Sequence, residues 1–373
     1  MKRILVVSPN YPYKGESFYP FVKNLCDEFS KLGYGVTVLS PQSITSAIFH
    51  GKKLRPIKRI DEVSGNKVTI YQPYSITPSF KRLNLYNDMI RWSVLKFLRK
   101  YRLTPDVCYC HFWCSAYYVL PYMQKFEIPM IVASGESEIS LLMSEEQMTP
   151  VFKDYVKGVV CVSTKNQNES IAHGLTTIDK CEVFPNSVDS SLFYKQEKRN
   201  CRDKLGLPHD EFIVVFVGWF IERKGPCRVA DALSQVSDVK SVFIGRGNQD
   251  PKCDGILFKG ALPHEQVPVY LGAADVFVLP TLHEGCCNAV VEAMACGLPV
   301  ISSNLPFNWD ILDESNSIMI DPNNIDELAE AIRKLKENVE LRNRLADGAL
   351  KKAEILTIEK RASAILDFIK RKI

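Results

Sequence analysis

No stretch of this 373-residue chain reaches the ~20 consecutive apolar residues that a membrane-spanning helix requires. The apolar run at residues 4–7 is far shorter than the h-region of a secretory leader and leads into a polar turn, so the expected location is the cytoplasm. Twelve cysteines are present without one CxxC pair, which argues for reduced, buried thiols rather than a disulfide framework. Cys110, His111 and Cys114 lack a fourth partner at metal-site spacing, so no metal centre is expected there. A GxGxxG fingerprint is missing too: Gly245-Arg246-Gly247 has no third glycine, which removes the usual signal of a nicotinamide-binding fold. Internal repeats are absent, and the basic residues are not interleaved with aromatics in a nucleic-acid motif, so no nucleic-acid partner is expected.

The chain is long enough, and at 46% hydrophobic apolar enough, to bury two domain-sized cores, since single cores stop growing near ~250 residues. Short β-branched runs at 3–8, 36–40, 106–111, 129–134 and 158–163 alternate with helical patterns, and the rhythm resumes at 212–218, 240–245, 256–259, 275–280, 298–303 and 317–320. Two consecutive α/β parallel sheets follow. The charged, apolar-poor segment 194–210 places the boundary near residue 195, giving domains 1–195 and 196–357. Apolar spacing predicts an amphipathic helix over 325–338 and a last helix at about 358–372.

Residues 275–303, ADVFVLPTLHEGCCNAVVEAMACGLPVISS with its preceding alanine, carry the clearest chemistry. A buried strand ends at Pro280, a loop holds Glu284, Gly285 and Cys286, and a helix runs from about Cys287 and Asn288 to Cys296, where Gly297 and Pro299 stop it. A helix amino terminus at the carboxyl end of a parallel strand offers free amides and a positive dipole end, a place suited to a diphosphate. Glu284 lies just before those amides and Glu292 about two turns into the helix. Carboxylates so placed can accept hydroxyls on either side of a diphosphate, sugar at one end and ribose at the other.

This string resembles the glutamate, seven residues, glutamate signature of retaining glycosyltransferases of family 4, which have the GT-B fold: two Rossmann-like domains facing a central cleft. The segment from Val215 to Gly225 resembles that family's glycine and Lys-Gly loop, with Gly218, Arg223 and Lys224 at the donor site and Trp219 where the family often has arginine. The resemblance implies that Lys224 and Arg223 hold the leaving diphosphate, that Glu284 orients the transferred sugar, and that Glu292 binds the ribose. Asp-x-Asp, which holds a metal in many sugar transferases of the other main fold, does not occur, so cations and helix amides are expected to replace the ion. Neither metal nor cofactor is expected beside the nucleotide-sugar co-substrate.

The likeness continues outside the motifs. Residues 185–189 (PNSVD) with Phe193 resemble the family's PNGVD segment before the linker, and 258–264 (FKGALPH), including Leu262, resemble the strand and turn beside the nucleotide base. Residues 356–362 resemble the stretch that carries the last helix back onto the first domain. In that domain, residues 12–18 resemble the opening loop, where Gly15 lets backbone approach the sugar. Relatives often carry a histidine nearest Ser134; this chain does not, leaving Glu136 and, behind it, His111 as acceptor-side acid/base candidates.

Residues 50–102 hold 13 Lys plus Arg against 3 Asp plus Glu. Two meanings stay open: a solvated face, or a surface that rests on anionic lipid at the inner face of the membrane or steers a lipid-diphosphate-linked acceptor. The expected function is retaining transfer of a sugar from a nucleotide-diphosphate donor to a glycan or lipid-linked acceptor, as in bacterial surface-polysaccharide synthesis. Rival readings are a GT-B epimerase or phosphorylase, and a two-domain sugar-binding protein without catalysis.

Overall fold

The computed structural model describes residues 1–13, 19–49, 53–78, 83–139 and 149–373. They divide into two compact units, Met1–Phe184 with Arg361–Ile373, and Pro185–Lys360.

The first unit is built from strands β1 (Arg3–Val7), β2 (Gly35–Leu39), β3 (Gln42–Ser43), β4 (Lys58–Val63), β5 (Asn66–Tyr71), β6 (Tyr74–Ser75), β7 (Val107–His111), β8 (Met130–Ser134), β9 (Val156–Cys161) and β10 (Cys181–Val183). Its helices are α1 (Pro20–Lys31), α2 (Ile44–Phe49), α3 (Leu83–Tyr101), α4 (Trp113–Lys125), α5 (Thr149–Tyr155) and α6 (Thr164–Ala172). Eight strands form one sheet in the order β10-β9-β8-β7-β1-β2-β5-β4. All its pairings are parallel except β4 with β5. The central strands are mostly apolar because helices cover both faces of such a sheet; β7 and β8 are buried at every position, including their terminal His111 and Ser134.

The β4–β5 hairpin lies inside the basic stretch. It turns at Ser64 and Gly65, both at positive φ (49° and 81°), the two-residue geometry whose twist suits a hairpin. Arg55 and Arg59 of that stretch are engaged internally. Arg59 donates to Gln72 Oε1 (2.6 Å) and to the Pro12 carbonyl, and Arg55 donates to the Tyr11 carbonyl at 2.7 Å, so the hairpin holds the chain just before residue 14.

The second unit holds α7 (Lys198–Leu205), β11 (Phe212–Val217), α8 (Pro226–Leu233), β12 (Val239–Ile244), β13 (Ile256–Gly260), α9 (Val267–Ala273), β14 (Val276–Leu279), α10 (Asn288–Ala295), β15 (Val300–Ser303), β16 (Ser317–Ile320), α11 (Ile325–Glu337) and α12 (Val339–Ile355). Its six-stranded sheet, ordered β13-β12-β11-β14-β15-β16, is parallel throughout. Asp275, just before β14, ties α7 to the start of this sheet. Its Oδ2 accepts from Arg202 Nη2 and from the Ile213 amide, both at 2.8 Å, and its Oδ1 accepts from Lys198 Nζ at 2.6 Å. Arg202 is only 3% exposed and also donates Nε to the Ala273 carbonyl (2.9 Å).

The chain enters and leaves this unit at adjacent points. Val188 pairs with Thr357 in a parallel bridge, its amide donating to Leu356 O (2.9 Å) and its carbonyl accepting from Ile358 N (3.0 Å). The last helix, α13 (Ile358–Lys372), then packs on the first unit. Phe368 sits 5.7 Å from the Phe184 ring, and Arg371 pairs with Glu182 at 2.6 Å. Among the described residues no helix is long and apolar enough to cross a membrane.

Candidate functional site

Three neighbouring strands, β12, β11 and β14, deliver their carboxyl-terminal loops to one end of the second sheet, where ligands of open α/β sheets bind. After β11 the chain passes Gly218 and makes a 3₁₀ turn over Glu222–Lys224. Gly225 then takes φ +74°, a conformation that an L side chain resists, and Pro226 opens α8 at a position where its missing N–H costs nothing. This geometry turns Arg223 and Lys224 toward the loop after β14.

They meet Glu284 there. Its Oε1 lies 2.5 Å from Lys224 Nζ and 2.8 Å from Arg223 Nη1, and it accepts the Thr281 hydroxyl at 2.9 Å. Arg223 also donates to the His283 carbonyl, and the Leu282 amide donates back to Arg223 O at 2.8 Å, so the two loops are stitched by backbone as well as by charge. Lys224 and Glu284 are each 9% exposed. Burial pulls the Lys224 ammonium down, but Cys287 and the Glu284 carboxylate beside it more than offset this and hold it above the usual lysine value. Among the described residues, hydrogen bonds reach Glu284 through Oε1 and leave Oε2 unengaged.

The helix α10 begins immediately behind this cluster. Cys287, its N-cap, lies 3.9 Å from Lys224 Nζ, and the amides of Val290 and Ala289 face its thiol. Burial raises that thiol above its ordinary value against the pull of Lys224 and those amides. Cys286 is buried, and its carbonyl accepts from Asn186 Nδ2 at 2.9 Å. Farther along the helix, Glu292 Oε1 is 2.9 Å from His264 Nε2, at the start of the turn that follows Leu262 and β13.

The loop after β12 is pressed against the loop after β11. A Cβ on Gly245 would lie 1.8 Å from the Gly218 carbonyl oxygen, and one on Gly247 2.0 Å from that of Phe220. The glycines of Gly245-Arg246-Gly247 therefore serve backbone approach, and the Phe220 amide donates to Arg246 O at 2.9 Å. Trp219, half-exposed, has the Arg246 guanidinium 5.2 Å from its ring centre.

Residues 197–352 match the family model described as glycosyl transferases group 1. They are a glycosyl transferases group 1 domain. The chain as a whole is 28% identical over 368 residues, 92% of each chain, to TuaC of Bacillus subtilis (strain 168), named as a glycosyltransferase of teichuronic acid biosynthesis. Among solved structures it is similar to a sucrose-phosphate synthase from Thermosynechococcus elongatus, with TM-score 0.80, 18% identity and coverage of 100% and 99% of the two chains. It is also similar to Anabaena HepE in complex with UDP, with TM-score 0.75, 16% identity and full coverage of both. These likenesses place the two parallel-sheet units in the GT-B fold, and the chain is a glycosyltransferase whose relatives include enzymes of bacterial cell-surface polysaccharide synthesis.

The transferase domain thus gathers Gly218, Arg223, Lys224, Glu284, Gly285, Cys286, Cys287 and Asn288 on adjoining loops, with Glu292 and Leu262 reached through His264. Thr281, which orients Glu284, and Asn186, which holds the loop carbonyl of Cys286, had no role readable from the sequence; a threonine three residues before a glutamate is too common a pattern to single out. Gly15 lies outside the described residues.

The first unit brings its two candidates to adjoining loops. His111 ends β7, 5% exposed, with Nδ1 unpartnered among the described residues; burial and the Arg361 charge lower its pKa to about 3, so the ring is neutral. Phe112 follows at φ +73°, strain on the order of 1–3 kcal/mol, and turns the chain into α4. Glu136 caps that helix: Oε1 accepts from the Trp113 amide (2.7 Å), Oε2 from the Gly135 amide (2.9 Å) and the Ser134 hydroxyl (3.3 Å). Burial raises its pKa to about 7 in spite of these donors. Such a pKa suits proton transfer near neutrality, yet both oxygens are already engaged, which is the arrangement of a helix cap.

Proposed function

We propose that this chain is a retaining, metal-independent glycosyltransferase of family 4 that takes its sugar from a nucleoside-diphosphate donor bound at the α10 end of the second unit. The observation that carries the reading is the pairing of Lys224 and Arg223 with Glu284 in front of the α10 amides. Breaking the anomeric bond puts growing negative charge on the departing diphosphate; fixed cations and helix amides already aimed at that place lower the barrier without reorganisation. In this reading Lys224 and Arg223 take the diphosphate, Glu284 releases part of its hold on them and orients the sugar through Oε2, and Glu292 receives the ribose. HepE binds UDP and TuaC serves teichuronic acid synthesis by their names. That supports a uridine donor and a glycan or lipid-diphosphate-linked acceptor here, met by the first unit, where His111 is a neutral ring available for hydrogen bonding and Glu136 fixes the loop.

Thermal-shift measurements with UDP, GDP and ADP test the donor site. A nucleotide at a hundred times its Kd stabilises the native state by about 2.7 kcal/mol, roughly 5–10 °C for a unit of this size. One of the three is expected to do this, and slow hydrolysis of the matching nucleotide-sugar without acceptor is expected to separate catalysis from simple binding. Absence of a shift with all three would remove the donor reading.

The chain is further proposed to work in the cytoplasm, peripheral on the inner face of the membrane. Exposed apolar side chains stand within or next to the basic stretch along the chain: Phe49 is 84% exposed, Ile48 70%, Trp92 67% and Ile76 63%, and Lys96 Nζ lies 5.1 Å from the Trp92 ring centre. These are joined locally, since Thr45 Oγ1 donates to Thr77 O (2.7 Å) and Ser93 Oγ to Tyr74 O (2.6 Å). Exposed apolar side chains within a segment rich in cations complement an anionic lipid surface; a second copy would present the same charge and be repelled. Sedimentation with phosphatidylglycerol vesicles is expected to carry the protein down at low salt, less so at high salt, and to weaken in Phe49→Ser and Trp92→Ser. Equal recovery with neutral vesicles would count against it.

A further inference from the structure

We propose that His264 is a positioning residue for the donor nucleotide: it donates Nε2–H to Glu292 Oε1 and thereby fixes the carboxylate so that Oε2 accepts a ribose hydroxyl. This rests on the reading of Glu292 as the ribose acceptor and adds what aims it.

The geometry is specific. Glu292 Oε1 and His264 Nε2 are 2.9 Å apart, and among the described residues this is the one hydrogen bond the Glu292 side chain makes, so Oε2 is unengaged. Glu292 stands on α10 and His264 on the 3₁₀ turn after β13, so the bond joins two elements distant in the chain. Phe193, itself 1% exposed, packs its ring 5.0 Å from the imidazole at an interplanar angle of 52° and limits where the imidazole can turn. Phe193 is itself held by a local turn, its amide donating to Asp189 O at 2.9 Å. A free glutamate on a helix samples several rotamers; one held at Oε1 by a packed donor offers its second oxygen in one direction. Pre-set direction of this kind acts on binding, before chemistry begins.

The test uses the whole enzyme with whichever of UDP, GDP and ADP gives the largest thermal shift, and compares wild type, His264→Ala, His264→Gln and Glu292→Gln by calorimetry and by steady-state kinetics. His264→Ala is expected to weaken the nucleotide roughly 5- to 10-fold, the worth of one well-placed hydrogen bond, and to raise the donor KM similarly while kcat stays within about twofold. His264→Gln, whose amide can donate in place of Nε2, is expected to recover most of the affinity. Wild-type affinity in His264→Ala, a loss confined to kcat, or no recovery in His264→Gln would overturn the proposal. The underlying reading fails separately: if Glu292→Gln also binds the nucleotide as wild type does, Glu292 is not the ribose acceptor, whereas a loss in Glu292→Gln without one in His264→Ala removes only the role of His264.

Discussion

Replacing Lys224 by methionine is expected to lower kcat on the order of 10²- to 10³-fold, the usual effect of removing one fixed group that stabilises charge in a transition state. The expectation is for kcat because, on the proposed reading, the demand arises as the glycosidic bond breaks, whereas a bound donor would still find Arg223 and the α10 amides for the diphosphate charge it already carries. Methionine fills the same narrow space, and Glu284, left with Arg223 at 2.8 Å and Thr281 at 2.9 Å, stays paired, so the unfolding transition should move little. Glu284→Gln is the matching carboxylate variant, since alanine at 284 would leave a buried ammionium beside Cys287 with its charge unanswered. Initial rates with saturating donor, alongside a melting curve, check both halves. Turnover within about threefold of wild type would deny Lys224 its role in departure of the diphosphate.

Asp275→Ala is expected to destabilise the second unit by about 3–5 kcal/mol, because it strips the partner from a guanidinium that has no route to water. Arg202 would keep its bond to the Ala273 carbonyl but lose its counter-charge, and the Ile213 amide at the head of β11 would lose its acceptor. Lys198 matters less: its side chain is 45% exposed and water can replace Asp275 there. Urea unfolding followed by circular dichroism would read the change as a lower midpoint with an unaltered slope. A variant Arg202→Met with Asp275→Asn, removing both charges together, should recover much of the loss. Stability unchanged in the single variant would mean that the pair is silent.

Five strands of the first sheet (β1, β2, β7, β8, β9) and the six of the second were legible because burial on two faces forces unbroken apolar runs, as in Val276–Leu279, and turn residues bracket them. The α10 helix was bounded correctly within a residue by Gly297 and Pro299. The β4–β5 hairpin was not foreseen: Lys58–Val63 alternates exposed with partly buried positions but carries charge at Lys58, Arg59, Asp61 and Glu62, which hides the alternation, and its one local signal, Ser64-Gly65, stands in a stretch dominated by lysine and arginine. Arg55 and Arg59 look in the sequence like members of a charge cluster, and only coordinates reveal that each is bound to a backbone carbonyl near residue 12. Gly245 and Gly247 suffered the opposite fate, discounted for lacking a third glycine when their reason is contact with the carbonyls of Gly218 and Phe220. Lys224 and Glu284 could each be named from separate motifs, but the 2.5 Å between them, and the joining of His264 to Glu292, are facts of tertiary structure that no spacing rule encodes.

The bridge between Val188 and Thr357 has an evolutionary corollary. A segment whose two ends are held side by side behaves as a cassette: it can be lifted out and another of like boundary set in its place, with two short splices and no rethreading of the host. Lineages descended from such a chain can exchange the inserted unit while the flanking sheet and its closing helix stay as they are, so that variety arises by recombination at the seam.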